Sequence, residues 1–182
     1  MRQDLEHPSV LILTIGHSTR TLDDFIGILR AHGVARLVDI RTIPRSRHNP
    51  QFNQETLFEG LKESAIDYAL MKQLGGLRHP TPDSVNMGWR NSSFRGFADY
   101  MQTDEFTEGV DQLIGLAQSV QACIMCAEVL PWRCHRWLTA DALTIRGIPV
   151  EHIMTIKKRT KHSLTRWAHI EGTQITYPRS LA

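Results

Sequence analysis

Residues 126 to 137, Cys-Ala-Glu-Val-Leu-Pro-Trp-Arg-Cys-His-Arg-Trp, crowd two thiols, a carboxylate, an imidazole and two guanidiniums into one short stretch behind an apolar run. Three chemistries are open to such a set. A thiol near a base is a nucleophile, with Cys126 attacking while Glu128, His135 or the distant His17 moves a proton. Thiolates with an imidazole are zinc ligands, and Cys126, Cys134 and His135, joined by His17, contain the usual donor types. Guanidiniums grip anions through paired N–H donors, which makes Arg133 and Arg136 anion-binding candidates.

Each residue also has a plainer explanation. Cys126 ends an apolar strand and reads equally as core, because free cysteine is among the most buried residue types. Cys123, deeper in that strand, reads as core packing. Cys134 opens an expected helix, where unpaired N–H groups and the flanking Arg133, His135 and Arg136 favour a thiolate. Its helical spacing to Leu138, Asp141 or Ala142, and Ile145 instead turns the sulfur toward the core. The paired C-x2-4-C ligands of structural zinc sites are absent, which weighs against a closed zinc site. The interval from Cys126 to Arg133 resembles the Cys-x5-Arg loop of thiol phosphatases, but it is one residue too long. It also holds Pro131 where glycines are expected, and both departures count against phosphatase chemistry.

A second pair of guanidiniums, Arg41 and Arg45, lies in Asp-Ile-Arg-Thr-Ile-Pro-Arg-Ser. Some of these arginines must pair with Asp39 and Glu128. The two loops hold too few carboxylates to neutralise all four. Arg41, Arg45, Arg133 and Arg136, with Ser18 after the first strand, therefore form the expected anion-binding set, for phosphate, carboxylate or nucleotide. Trp89, Arg90, Phe94 and Arg95 interleave aromatic and basic side chains in a pattern suited to stacking bases, although Phe94 and Phe97 also suit anchoring a helix.

The elements that must position these groups follow from periodicity. The run Ser-Val-Leu-Ile-Leu-Thr-Ile-Gly predicts a buried strand stopping at Gly16, and a helix follows from Thr21 as cap to Gly33 as stop. Ala-Arg-Leu-Val-Asp-Ile-Arg is the second strand; a proline-interrupted loop and a second helix lead to a short strand, Ile-Asp-Tyr-Ala-Leu-Met. Residues 72–93 are rich in Gly, Pro, Asn and Ser and predict a long loop or lid. Two helices, the strand Gln-Ala-Cys-Ile-Met-Cys-Ala-Glu, a helix from Arg133 to Gly147 and a last strand, Ile-Pro-Val-Glu-His-Ile, complete the pattern.

Alternating strands and helices predict a single α/β domain over residues 1–182: three layers, a mostly parallel sheet and helices on both faces. Residues 155–182 form a basic C-terminal arm around Lys-Lys-Arg-Thr-Lys-His. In such sheets ligands bind beyond the carboxyl ends of the strands. That rule brings His17 and Ser18, Asp39, Arg41 and Arg45, and Cys126 and Glu128 to one rim.

On Gly-His-Ser after the first strand, Asp-Ile-Arg-Thr-Ile-Pro-Arg-Ser after the second, Leu-Gly-Gly at 74–76, Phe-Ala-Asp-Tyr-Met-Gln-Thr-Asp-Glu-Phe and above all C-A-E-x-x-P-x-x-C-H-R, the chain resembles the domain-of-unknown-function 488 family of bacteria and archaea. The resemblance spans roughly residues 10 to 155. It implies a small soluble α/β protein and carries no agreed reaction.

Composition narrows the setting. With 41% hydrophobic and 22% charged residues the chain is of ordinary globular type, and a net charge of +2 argues for no partner by itself. Three cysteines in no disulfide framework, and an opening apolar stretch too short to span a bilayer, give the expectation of a cytoplasmic protein with no membrane partner. The leading expectation is an enzyme acting on an anionic, phosphorylated or nucleotide-like substrate, a thiol-dependent transferase or hydrolase with no cofactor required by the sequence. The alternatives are a nucleic-acid-binding module, using the arginine loops and basic arm, and a zinc protein.

Overall fold

The computed structural model describes residues 10–179. Five parallel strands and one antiparallel edge strand form the main sheet: β1 (Ile12–Gly16), β2 (Arg36–Asp39), β3 (Asp67–Leu70), β4 (Ala122–Cys126), β5 (Val150–Thr155) and β6 (Lys158–Lys161), in the order β3-β2-β4-β1-β5-β6. The helices are α1 (Leu22–Ala31), α2 (Gln54–Glu63), α3 (Ser92–Tyr100), α4 (Asp104–Ala117) and α5 (Arg136–Thr144). This is the expected α/β architecture.

Strand side chains alternate between two cores. Leu13, Ile15, Leu37, Cys123 and Met125 pack under Phe25 and Leu29 of α1 and Leu57 and Leu61 of α2. Ile12, Val38, Ile40, Ile124 and Cys126 pack against α3, α4 and α5 through Phe97, Phe106, Val110 and Leu138. Because both faces are covered, β1 and β4 are buried at every position, which explains their unbroken apolar runs. Local signals set the helix ends: Thr21 accepts a hydrogen bond from the Asp24 N–H, and Gly33 takes a left-handed turn at φ 68° after α1.

Two segments gain definition beyond periodicity. The loop after β3 has only a short 3-10 turn, Lys72–Leu74, before α3. It is fastened down: Asp99 of α3 accepts from the Thr81 N–H, Ser84 Oγ and Asn86 Nδ2 at 2.9, 2.6 and 2.7 Å. Beyond the expected last strand, the chain continues into β6, antiparallel to β5, and a hairpin of β7 (His169–Glu171) and β8 (Gln174–Thr176). β5 is therefore not the last strand. Alternation gave no warning of these strands because they are short and mostly exposed. Residues 180–182 of the basic arm, and Ser9 at the head of the first predicted strand, lie outside the described residues. Among the described residues no helix is long and apolar enough to cross a membrane.

Candidate functional site

β2, β4 and β1 are adjacent in the sheet, so the loops leaving their carboxyl ends meet. Backbone hydrogen bonds join the loops directly: His17 N–H donates to Cys126 O and Ser18 N–H to Ala127 O, both at 2.9 Å. The approach is so close that a Cβ on Gly16 would stand 1.8 Å from the Glu128 carbonyl oxygen, and only glycine fits there. Between these loops, Gly76–Leu77 and the start of α3 lies a pocket of about 480 Å³. His17, Arg41, Arg45, Cys126, Glu128, Arg133, Cys134 and His135 all line it, so eight of the predicted site residues converge there.

At the wall of the pocket two sulfurs and an imidazole meet. His135 Nδ1 lies 3.8 Å from Cys126 Sγ and 3.6 Å from Cys134 Sγ. On the other side of the ring Nε2 is 3.1 Å from the Ile40 carbonyl, which can only accept. Nε2 therefore carries a proton, and Nδ1 faces both sulfurs. Cys126 and Cys134 are 7% and 3% exposed. A hydrogen bond from the Cys134 thiol, then the nearby His135 and Arg136, hold the Cys126 thiol well below its ordinary range despite burial. Burial and the neighbouring Cys126 push the Cys134 thiol the other way.

Cys134 does not open a helix as the sequence predicts. Pro131 starts a 3-10 turn, Pro131–Arg133, and the Cys134 N–H closes it onto the Pro131 carbonyl at 3.1 Å. Cys134 itself is extended (φ −133°, ψ 147°), and α5 starts at Arg136. The sulfur is placed by this turn and by burial.

The guanidiniums divide by partner. Arg41 is buried, donating from Nε and Nη2 to Asp39 at 2.9 and 2.6 Å and from Nη2 to Phe52 O at 2.9 Å. Its Nη1 alone turns toward His17, at 3.4 Å from Nε2. Arg45 lies at the exposed rim, paired with Glu55 of α2 at 2.8 Å. Arg133 is exposed on the pocket lining and has no ion-pair partner among the described residues. Arg136 is 1% exposed and outside the lining: it donates to the carbonyls of Glu128 and Val129, and among the described residues its Nε has no partner and it meets no carboxylate. It braces the loop after β4 and supplies a buried positive charge beside Cys126.

The other predicted residues have equally specific places. His17 donates from Nδ1 to Ser18 O at 2.8 Å and stacks on Phe52 at 4.2 Å, and its burial lowers its pKa from the ordinary 6.5. Ser18 does not line the pocket; at φ 55° it turns the loop and serves through its backbone. β4 ends at Cys126, so Glu128, the last residue of the strand expected from the sequence, lies in the exposed loop beyond it. Its carboxylate forms no ion pair with an arginine among the described residues. His17 also stands apart from the Cys126, Cys134 and His135 cluster, with both ring nitrogens engaged elsewhere.

Sequence reasoning did not single out Thr42, Ser46, Asn49, Ser93, or the apolar lip of Ile43 and Leu77, all of which line the pocket. It also missed the role of Gly76, where a Cβ would stand 2.4 Å from His135 Nδ1. The Gly-Gly pair was the available signal, but its partner is far away in sequence.

The family model described as Domain of unknown function DUF488 matches residues 21–143. The match takes in Arg41, Arg45, Gly76, Cys126, Cys134 and His135 and stops short of the tail. No curated protein and no solved structure matches the chain.

Proposed function

The chain belongs to the DUF488 family, and from that premise we propose that it is a thiol-dependent enzyme acting on a small anionic substrate, a transferase or hydrolase. One observation carries this reading: the Cys126 sulfur and the His135 imidazole share the wall of a pocket whose rim holds Arg45 and Arg133, the latter with no ion pair among the described residues. The pocket's volume suits a small molecule, and its concave form favours that ligand over an extended nucleic-acid strand.

The chemistry follows from the donors. His135 Nδ1 takes the Cys126 proton; sulfur attacks an electrophilic carbon or phosphorus, forming a new S–C or S–P bond. The bond to the leaving group breaks, and the proton passes from His135 to that group. A second acceptor, water in a hydrolase, then gives its proton to His135 and displaces the sulfur, which leaves as the Cys126 thiolate. Arg133 and Arg45 hold the anionic part of the substrate, while Arg41 Nη1 and His17 close the floor.

The test needs no knowledge of the substrate. In the metal-free, reduced protein, iodoacetate should modify Cys126 in preference to Cys123, as read by peptide mass spectrometry. Its rate relative to neutral iodoacetamide should exceed that for free cysteine by about 10-fold, because a guanidinium-lined cleft concentrates anions. Arg133→Ala should erase most of that preference. A Cys126 that reacts no faster than Cys123, or that favours the neutral reagent as free cysteine does, would refute the proposal.

A further inference from the structure

We propose that Cys126, Cys134 and His135 also form a zinc(II) site, with two sulfurs and Nδ1 as ligands and the remaining face of the ion turned to the pocket. The inference is independent of covalent chemistry at Cys126 and stands on geometry. With Zn–S about 2.3 Å and Zn–N about 2.0–2.1 Å, a tetrahedral ion sets its sulfur and nitrogen ligands about 3.6 Å apart. The two S···N separations here are 3.8 and 3.6 Å, and all three donor atoms lie within 4.8 Å of one another. No other such cluster of three donors occurs among the described residues.

The surroundings fit a ligand role. Metal-bound histidines usually donate their second N–H to a carbonyl or carboxylate, and His135 donates Nε2–H to Ile40 O at 3.1 Å. Gly76 leaves open the space beside Nδ1 that a Cβ would fill. Two thiolates cancel the charge of a divalent ion, so the loaded cluster is neutral, and the buried Arg136, which meets no carboxylate among the described residues, favours the thiolate forms. Soft sulfur with imidazole selects zinc over magnesium or calcium. Binding releases the thiol protons to solvent and occupies the Cys126 lone pair. Zinc therefore silences the sulfur that the proposed enzyme uses. Three protein ligands with one side open to a pocket make this a reactive or inhibitory centre, in contrast to a closed structural site.

Cobalt(II), a spectroscopic substitute for zinc, tests this on the reduced full-length chain. One equivalent should produce the intense visible bands of tetrahedral cobalt and a near-ultraviolet thiolate charge-transfer band of two-sulfur intensity. Zinc should displace it and protect Cys126 and Cys134 from alkylation. Cys134→Ser and His135→Gln should each weaken zinc binding by at least about 100-fold, with circular dichroism confirming the fold, whereas Cys123→Ala should leave the spectrum unchanged. Absence of the charge-transfer band in the unsubstituted protein, or unchanged affinity in folded Cys134→Ser, overturns the site. Alkylation of Cys126 in metal-free protein reports separately on the nucleophile, so either proposal can fail without the other.

Discussion

Arg41 illustrates how a charged side chain divides its duties. Its Nε and Nη2 edge is locked onto Asp39, which also accepts from the Tyr68 hydroxyl at 2.8 Å, leaving Nη1 for His17. The pair is nearly dry, so breaking it strands a buried charge. Asp39→Ala should cost about 3–5 kcal/mol in a urea unfolding experiment, far more than Glu55→Ala at the solvent-exposed Arg45 pair, where the urea midpoint should barely move. Equal, small losses in both variants would contradict the assignment of Arg41 as scaffold.

At the scale of elements, glycines decide how closely the loops approach. Gly16 lets the end of β1 touch the Glu128 carbonyl, and Gly76 lets the loop after β3 pass His135. The two positions should separate in experiment. Gly16→Ala forces backbone against backbone and should destabilise the fold by about 3 kcal/mol. Gly76→Ala meets a side chain that can move: stability should fall by about 1 kcal/mol while the imidazole shifts from the thiols, so that Cys126 alkylation slows and cobalt binding weakens. A Gly76→Ala protein with unaltered alkylation and cobalt spectra would show that His135 is not held by this contact.

Across the whole molecule, a polar chain in the second core ties the tail to the sheet. Thr14 Oγ1 lies 2.7 Å from His152 Nδ1, His152 Nε2 lies 3.0 Å from His162 Nδ1, and His162 Nε2 meets Asp141 at 2.8 Å. The carboxylate can only accept, so His162 Nε2 donates to Asp141. Asp141 also accepts from the Thr165 hydroxyl at 2.7 Å and the Tyr177 hydroxyl at 2.8 Å, pinning the segment after β6. Burial, reinforced by His162 and Arg136, depresses the His152 pKa from 6.5 to about 3. Below pH 6.5 the unfolded chain binds a proton that the folded chain refuses. The stability contributed by neutral His152 is therefore full above pH 6.5 and declines down to about pH 3, by up to about 1.4 kcal/mol per pH unit. Urea midpoints measured across that range should fall on acidification, and His152→Gln should flatten the slope. An equally steep slope in His152→Gln would remove His152 as its origin.

The amino-acid sequence by itself determined the alternation of strands and helices, the two covered faces of the sheet and the gathering of three loops at one rim. Each rests on spacing along the chain: apolar runs, helical periods, and caps such as Thr21. It also delivered the convergence of His17, Arg41, Arg45 and Cys126, since parallel strands put all their carboxyl ends on one side. Only the tertiary structure decided what each side chain does there. Arg136 looks like an anion ligand in the sequence and is a buried brace, while Arg133 beside it faces the pocket. Glu128 leaves the strand that was expected to carry it, and the Gly76 partner, His135, comes from a turn after a different strand. Such choices depend on long-range packing and on which donor meets which acceptor, and residue spacing holds no record of either.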